Sequence, residues 1–135
     1  MKKKTALIIM FFILGIVLIF HFLILTEQIP YDKVWAGRLK SVEEMIIFET
    51  FSILLNVFIL TVLYIKYRQL AKGIKNKVIN FMIWIFTGLF ALNTLGNLFS
   101  KSMAELVLGT LFTLASAVLC FVIVKKEKQK AQKDL

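Results

Sequence analysis

Three side chains that can exchange protons or donate hydrogen bonds fall inside long apolar stretches of this chain: His21, Glu49 and Asn93. If each stretch is a membrane-spanning helix, a rise of about 1.5 Å per residue places the three residues about 7 to 9 Å below the same membrane surface. A carboxylate within a membrane commonly carries a proton, and an imidazole beside it can serve as the acid or base. The spacing therefore predicts one polar layer within a single leaflet.

Glu49 also belongs to a polar stripe, because Ser52 and Asn56 follow it at the i+3 and i+7 positions of one helix face. An ionised carboxylate that faces lipid costs about 2.5 to 3.5 kcal/mol near mid-membrane, so Glu49 is expected to face inward. The alternative is that these groups only bond neighbouring helices together, at about 0.6 kcal/mol each. The predicted pocket comprises His21, Glu49, Ser52, Asn56, Asn93 and Asn97.

The connection after the first apolar stretch mixes aromatic, basic and acidic residues around a glycine, from Ile29 to Lys40. It could cover the polar layer as a lid containing Trp35 and Arg38. A guanidinium binds carboxylates in a fixed geometry, so Arg38 is a candidate anion clamp for a glutamate or an anionic ligand. The alternative is an ordinary amphipathic segment on the lipid headgroups.

Four apolar runs must position these residues, and each is near the length of about 20 residues that a helix needs to cross a bilayer. The hydrophobic content of 59%, with thirteen Phe, exceeds what a small soluble domain can bury. We predict an all-α fold, a four-transmembrane-helix bundle with short loops that forms a single membrane domain over residues 1–135. The predicted spans are 5–25, 45–65, 78–99 and 106–124.

The net charge of +9 is distributed as expected for membrane topology. Thirteen of the seventeen Lys and Arg lie in residues 2–4, 66–77 and 125–133. By the positive-inside rule both termini and the 66–77 loop are cytoplasmic, and the 26–44 and 100–105 loops are outside. The basic tail 125–135 is expected to contact anionic lipid headgroups, with no nucleic acid partner. The predicted location is the inner (plasma) membrane, as a multi-pass protein.

The first run starts like a secretory signal, with three lysines before an apolar stretch. We expect an uncleaved anchor, because the run is long and no small-x-small cleavage pattern follows it. Cys120 is the one cysteine and His21 the one histidine. No disulfide within one chain, metal site or cofactor is therefore expected.

Two short patterns predict helix starts on the outer side. Ser41 with Glu44, and Ser102 with Glu105, match the capping box in which serine and glutamate bond the first amides of a helix. Both glutamates are therefore interpreted as caps.

The fourth run carries a ridge of small residues at four-residue intervals, which lets another helix approach closely. The ridge could pack within the monomer or form a homodimer seam. It consists of Gly109, Thr113 and Ala117.

Segments 34–39 (VWAGRL), 43–49 and 93–101 resemble a family of small uncharacterised four-helix membrane proteins of bacteria. The resemblance covers most of the chain. It implies a fold and a location but no activity and no catalytic residue.

Three function classes remain open. We favour a binding or accessory protein that presents the outer pocket or its helix faces to a lipid, a small solute or a partner membrane protein. The first alternative is a proton- or ion-coupled transporter acting as a homodimer. Against a transporter, only Asn56 and Thr61 continue the polar path toward the cytoplasmic side. The second is a lipid-modifying or isomerising enzyme with His21 and Glu49 as acid and base. No familiar catalytic motif supports an enzyme.

Overall fold

The computed structural model describes residues 1–126, which form four long helices and no strand. A π-helical turn, Glu105–Gly109, leads directly into the fourth helix. The basic tail predicted at 125–135 lies outside the described residues from position 127 onward. The helices are α1 (Lys3–Leu25), α2 (Val42–Ala71), α3 (Lys77–Leu98) and α4 (Thr110–Val124).

All four helices, with the π turn counted in the last, are long and apolar enough to cross a membrane. The shortest of these segments has 20 residues and α2 has 30, which correspond to about 30 and 45 Å at 1.5 Å per residue. A hydrocarbon core is about 30 Å thick. Helix α2, predicted over 45–65, is therefore long enough to project beyond it at both ends.

The helices pack in a closed ring, since each contacts the next along the chain and α4 contacts α1. The alternation in direction gives the bundle two ends. The lysine-rich end comprises residues 1–4, 66–77 and 125–126, and the Trp35 end comprises residues 26–41 and 99–104. The buried core is mostly apolar, and so are most of the outward faces, as expected of helices surrounded by lipid. Fully buried core side chains include Leu7, Met10, Leu14, Leu63, Ile83 and Ile123.

The connection between α1 and α2 folds back onto the bundle. It contains two single-turn 3₁₀ helices, Tyr31–Lys33 and Trp35–Gly37. Val34 and Leu39 from this connection form a small apolar cluster with Ile24 and Met45 at the helix ends. The segment is therefore attached to the bundle by its own hydrophobic contacts.

The start of α2 has the predicted serine cap. The Ser41 hydroxyl accepts a hydrogen bond from the Glu44 amide at 3.2 Å. The Glu44 carboxylate accepts from the Lys40 amide at 2.9 Å, one residue before the partner expected in a capping box. Glu44 is thus part of a cap.

The small-residue ridge of α4 packs against α3 of the same chain. A Cβ atom added at Gly109 would lie 2.9 Å from the Asn97 Cγ. The hydroxyl groups of Thr113 and Thr94 lie 3.0 Å apart, within hydrogen-bonding distance, and Ala117 is buried. Gly109 and Thr113 therefore already pack against α3 within the monomer.

Candidate functional site

The Glu49 carboxylate is the most enclosed charged group in the described part of the chain, with 0% of the residue exposed. His21 Nδ1 lies 2.6 Å from its Oε2 atom, and an imidazole protonated at that nitrogen donates to it. The Trp35 indole Nε1 donates to the other oxygen, Oε1, also at 2.6 Å. Hydrogen bonds to an ionised carboxylate are short and about twice as strong as neutral ones. Both carboxylate oxygens therefore have a donor.

Two helices and one loop place these three groups together. His21 lies in the last turns of α1 and Glu49 lies two turns into α2, so the antiparallel α1–α2 pair brings them to the same level. Trp35 comes from the connecting loop. It reaches Glu49 with a left-handed backbone, at φ 53° for Trp35 and 56° for Ala36, a conformation that costs about 1 to 2 kcal/mol per residue outside glycine. The contacts made by this loop must offset that cost.

A second carboxylate holds the same loop. Glu105 Oε2 accepts hydrogen bonds from the Ala36 amide at 2.8 Å and from the Ser100 hydroxyl at 2.6 Å. The prediction of Glu105 as the partner of Ser102 in a capping box was wrong, because its carboxylate bonds to the neighbouring loops. Glu105 begins the π-helical turn, a distortion often found at functional sites. Glu49 and Glu105 thus fix the Trp35–Gly37 segment (the Trp35 loop) from two helices.

Ser52 and Asn56 extend the buried face of α2 below Glu49. The Asn56 amide donates to the Ser52 carbonyl oxygen at 2.8 Å, within the same helix. The next residues on this face are Ile59 and Leu63, which are 2% and 0% exposed. The polar layer therefore ends in a sealed apolar interior.

The predicted polar stripe of α3 lies elsewhere. Asn93 is exposed on the outside of the bundle. Asn97 is half-buried against α4, and its Nδ2 donates to the Thr113 hydroxyl oxygen at 3.4 Å. Arg38 lies exposed on the connection. Of the predicted pocket and lid residues, His21, Glu49 and Trp35 are joined by hydrogen bonds.

Lys66, predicted to begin the cytoplasmic 66–77 loop, is instead a buried residue of α2. It is 4% exposed, and its Nζ donates to Asn80 Oδ1 at 2.6 Å. From Glu49 to Lys66 is seventeen residues, or about 4.7 turns, so an ideal helix turns Lys66 about 100° away from Glu49 and periodicity does not predict its burial. Helix α2 thus buries a carboxylate toward one end and an ammonium toward the other.

In residues 1–126, no group of three or more His, Cys, Asp or Glu is arranged to hold a metal ion. Comparisons with protein-family models, curated proteins and solved structures found no match. Any function must therefore be inferred from the contacts within this chain.

The residues at the site can perform few kinds of chemistry. The Glu49–His21 pair can share a proton between carboxylate and imidazole. Because Glu49 has no exposed surface, an incoming group reaches it only after a covering side chain moves. Of the two donors to Glu49, His21 lies on a helix and Trp35 lies on the loop. Movement of the loop would therefore uncover Oε1 and leave Oε2 bonded to His21.

Proposed function

We propose that this protein is an integral membrane binding or accessory protein in which the Trp35 loop is a lid over an acceptor site made by Glu49 and His21. The observation that supports this most is the division of donors: one oxygen of a fully buried carboxylate is bonded from a helix and the other from a strained loop. When the lid opens, Glu49 Oε1 accepts a hydrogen bond from the ligand in place of the indole.

The ligand class follows from the acceptor. A buried anion selects a group that carries an N–H donor, above all an ammonium, since leaving the carboxylate oxygen without a donor is costly. The site lies near the end of the bundle, within reach of lipid headgroups. We therefore propose a small amine or the ammonium headgroup of a lipid as the ligand.

The best first test uses two lipids that differ in N–H donors. Native mass spectrometry of the purified protein should show retention of phosphatidylethanolamine, whose ammonium donates, over phosphatidylcholine, whose quaternary nitrogen cannot. Loss of one charged hydrogen bond costs about 1.5 to 3 kcal/mol, so Glu49→Gln should weaken ethanolamine-lipid binding by about tenfold to a hundredfold.

The matched control is Glu43→Gln, which neutralises an exposed glutamate of the same helix and should leave binding unchanged. An amine or ethanolamine lipid that co-purifies with the wild-type protein should be strongly reduced in Glu49→Gln. Equal retention by Glu49→Gln and wild type would show that Glu49 has only a structural role.

We propose further that the lysine-rich end faces the cytoplasm of a plasma membrane, with both termini on that side. A reporter active only in the cytoplasm should therefore be active when fused after Leu135, and also when inserted in the 72–76 connection. The same reporter inserted near Lys33 should be silent. Activity limited to the Lys33 insertion would reverse the orientation.

A proton-coupled transporter acting as a homodimer is the second candidate, because carboxylates inside membranes commonly form part of proton pathways. It requires Ile59 and Leu63 to separate, since they close the interior below Asn56. An enzyme is less supported, because no familiar catalytic motif accompanies His21 and Glu49.

A further inference from the structure

The lysine-rich end holds a cavity of about 450 Å³, open to the surface, between the start of α1 and the ends of α2 and α4. The lining combines two kinds of residue. Its lysines, called the rim below, are Lys2, Lys3, Lys4 and Lys125, and its apolar residues, called the floor below, include Leu70 and Val122.

The rim is arranged for an anion. Among residues 1–126, four lysines line this cavity and no acidic residue does. Helix α1 also begins here, with Lys2 at its N-cap, no side-chain cap and no acidic residue in its first turn. The first amides of a helix lack partners within it, and their dipoles favour a negative charge. Phosphate groups commonly bind where such amides and cationic side chains meet.

One of the rim lysines is held in place by an aromatic ring. The Lys4 ammonium lies 5.5 Å from the centroid of the Tyr67 ring, a cation–π contact. The Tyr67 ring in turn packs edge-on against Phe11. This fixed position reduces the entropy that Lys4 would otherwise lose on binding an anion.

The floor indicates what the anion is attached to. Leu70, Ala71 and Val122 line the same cavity as the lysines and give it a hydrocarbon surface. A free inorganic anion would gain nothing from that surface, whereas a phospholipid would bury its glycerol and upper acyl carbons there. The cavity is also at a helix end, where lipid phosphates lie.

We propose that this cavity binds one anionic phospholipid, with the phosphate at the lysine rim and the start of an acyl chain on the Leu70–Val122 floor. The site is at the opposite end of the bundle from Glu49, so it is independent of the function proposed above. It differs from general attraction to a charged membrane because it has a defined stoichiometry and shape.

The test is a titration of the detergent-purified protein with phosphatidylglycerol, followed by native mass spectrometry, with phosphatidylcholine as the neutral comparison. A lysine near the membrane surface contributes about 1 kcal/mol to anionic-lipid attraction. Lys3→Gln with Lys4→Gln should therefore weaken the first phosphatidylglycerol by about tenfold to thirtyfold. The control, Lys75→Gln with Lys77→Gln, removes the same charge outside the cavity and should change binding by less than about threefold.

A second variant separates shape from charge. Ala71→Trp keeps every lysine and narrows the cavity, so it should also weaken the first phosphatidylglycerol by about tenfold or more. Equal losses in the two lysine pairs, with no effect of Ala71→Trp, would show general electrostatic attraction and overturn the proposal. Displacement of the lipid by inorganic phosphate alone would assign the cavity to free phosphate and overturn the lipid assignment.

Discussion

Replacing His21 with phenylalanine is expected to lower the free energy of unfolding by about 3 kcal/mol, the largest effect of any single substitution considered for this bundle. The change keeps an aromatic ring but removes the donor 2.6 Å from Glu49 Oε2. The carboxylate is then fully buried with Trp35 as its remaining donor. Reversible unfolding in mixed micelles, followed by circular dichroism, measures the loss.

The double variant His21→Phe with Glu49→Met distinguishes two costs to stability: that of leaving a buried charge unpaired and that of losing one contact. Removing both members of a buried polar pair is often close to neutral, whereas removing one is costly. We therefore expect the double variant to regain most of the stability that His21→Phe loses. Asn93→Leu, on the exposed face of α3, should change stability by less than about 0.5 kcal/mol. A double variant no more stable than His21→Phe would contradict this explanation.

The second large effect is expected at the α3–α4 contact, where Gly109→Ala should cost about 1 to 3 kcal/mol. The added methyl group would lie 2.9 Å from the Asn97 Cγ, which is too close for any real contact. Asn97 must move, and it loses its hydrogen bond to Thr113. The same unfolding titration measures the effect, and Gly109→Leu should cost more.

Gly96→Ala is the matched control, because no atom lies within 4 Å of the position of its added methyl group. It should be neutral or stabilise α3 by up to about 1 kcal/mol, through the higher helix propensity of alanine. Shortening the obstructing side chain, in Gly109→Ala with Asn97→Ala, should recover part of the loss. If Gly109→Ala and Gly96→Ala behave alike, the close approach at Gly109 contributes nothing to stability.

The sequence was sufficient for the all-helical fold and for the common depth of His21 and Glu49, with His21 as one of several donors that could bond to the carboxylate. Hydropathy over about 20 residues identifies each long helix, and residue counting along the helices gives depth. Depth alone places His21 and Glu49 at one level. The alternation of helix direction then brings them within reach of each other.

The rotation of each helix about its axis could not be predicted from the sequence. Asn93 and Thr94 differ by one position, or about 100° on a helix, and it is Thr94 that is buried while Asn93 is exposed. Neither residue type decides which of them faces a neighbour, because lipid and bundle interior are both apolar. Lys66 was misplaced for a related reason: a charged residue was taken to mark the end of a span.

The path of the Trp35 loop was equally hidden. Left-handed backbone at a tryptophan and an alanine is rare for L-residues, and Gly37 is the one position in that turn whose residue type suggests it. The conformation exists because Glu49 and Glu105, far apart in sequence, each bond to it. A local sequence pattern cannot predict hydrogen bonds to residues so far away in the chain.

The bond between Trp35 and Glu49 gives the protein an optical signal of its own. The chain has two tryptophans; Trp84 lies half-exposed on α3 beside the Phe121 ring. With Trp84 changed to phenylalanine, every emitted photon of tryptophan origin would come from the indole that donates to the carboxylate. For the purified protein in lipid vesicles, fluorescence intensity and wavelength would then record any opening of the Trp35 loop in real time, without an attached dye.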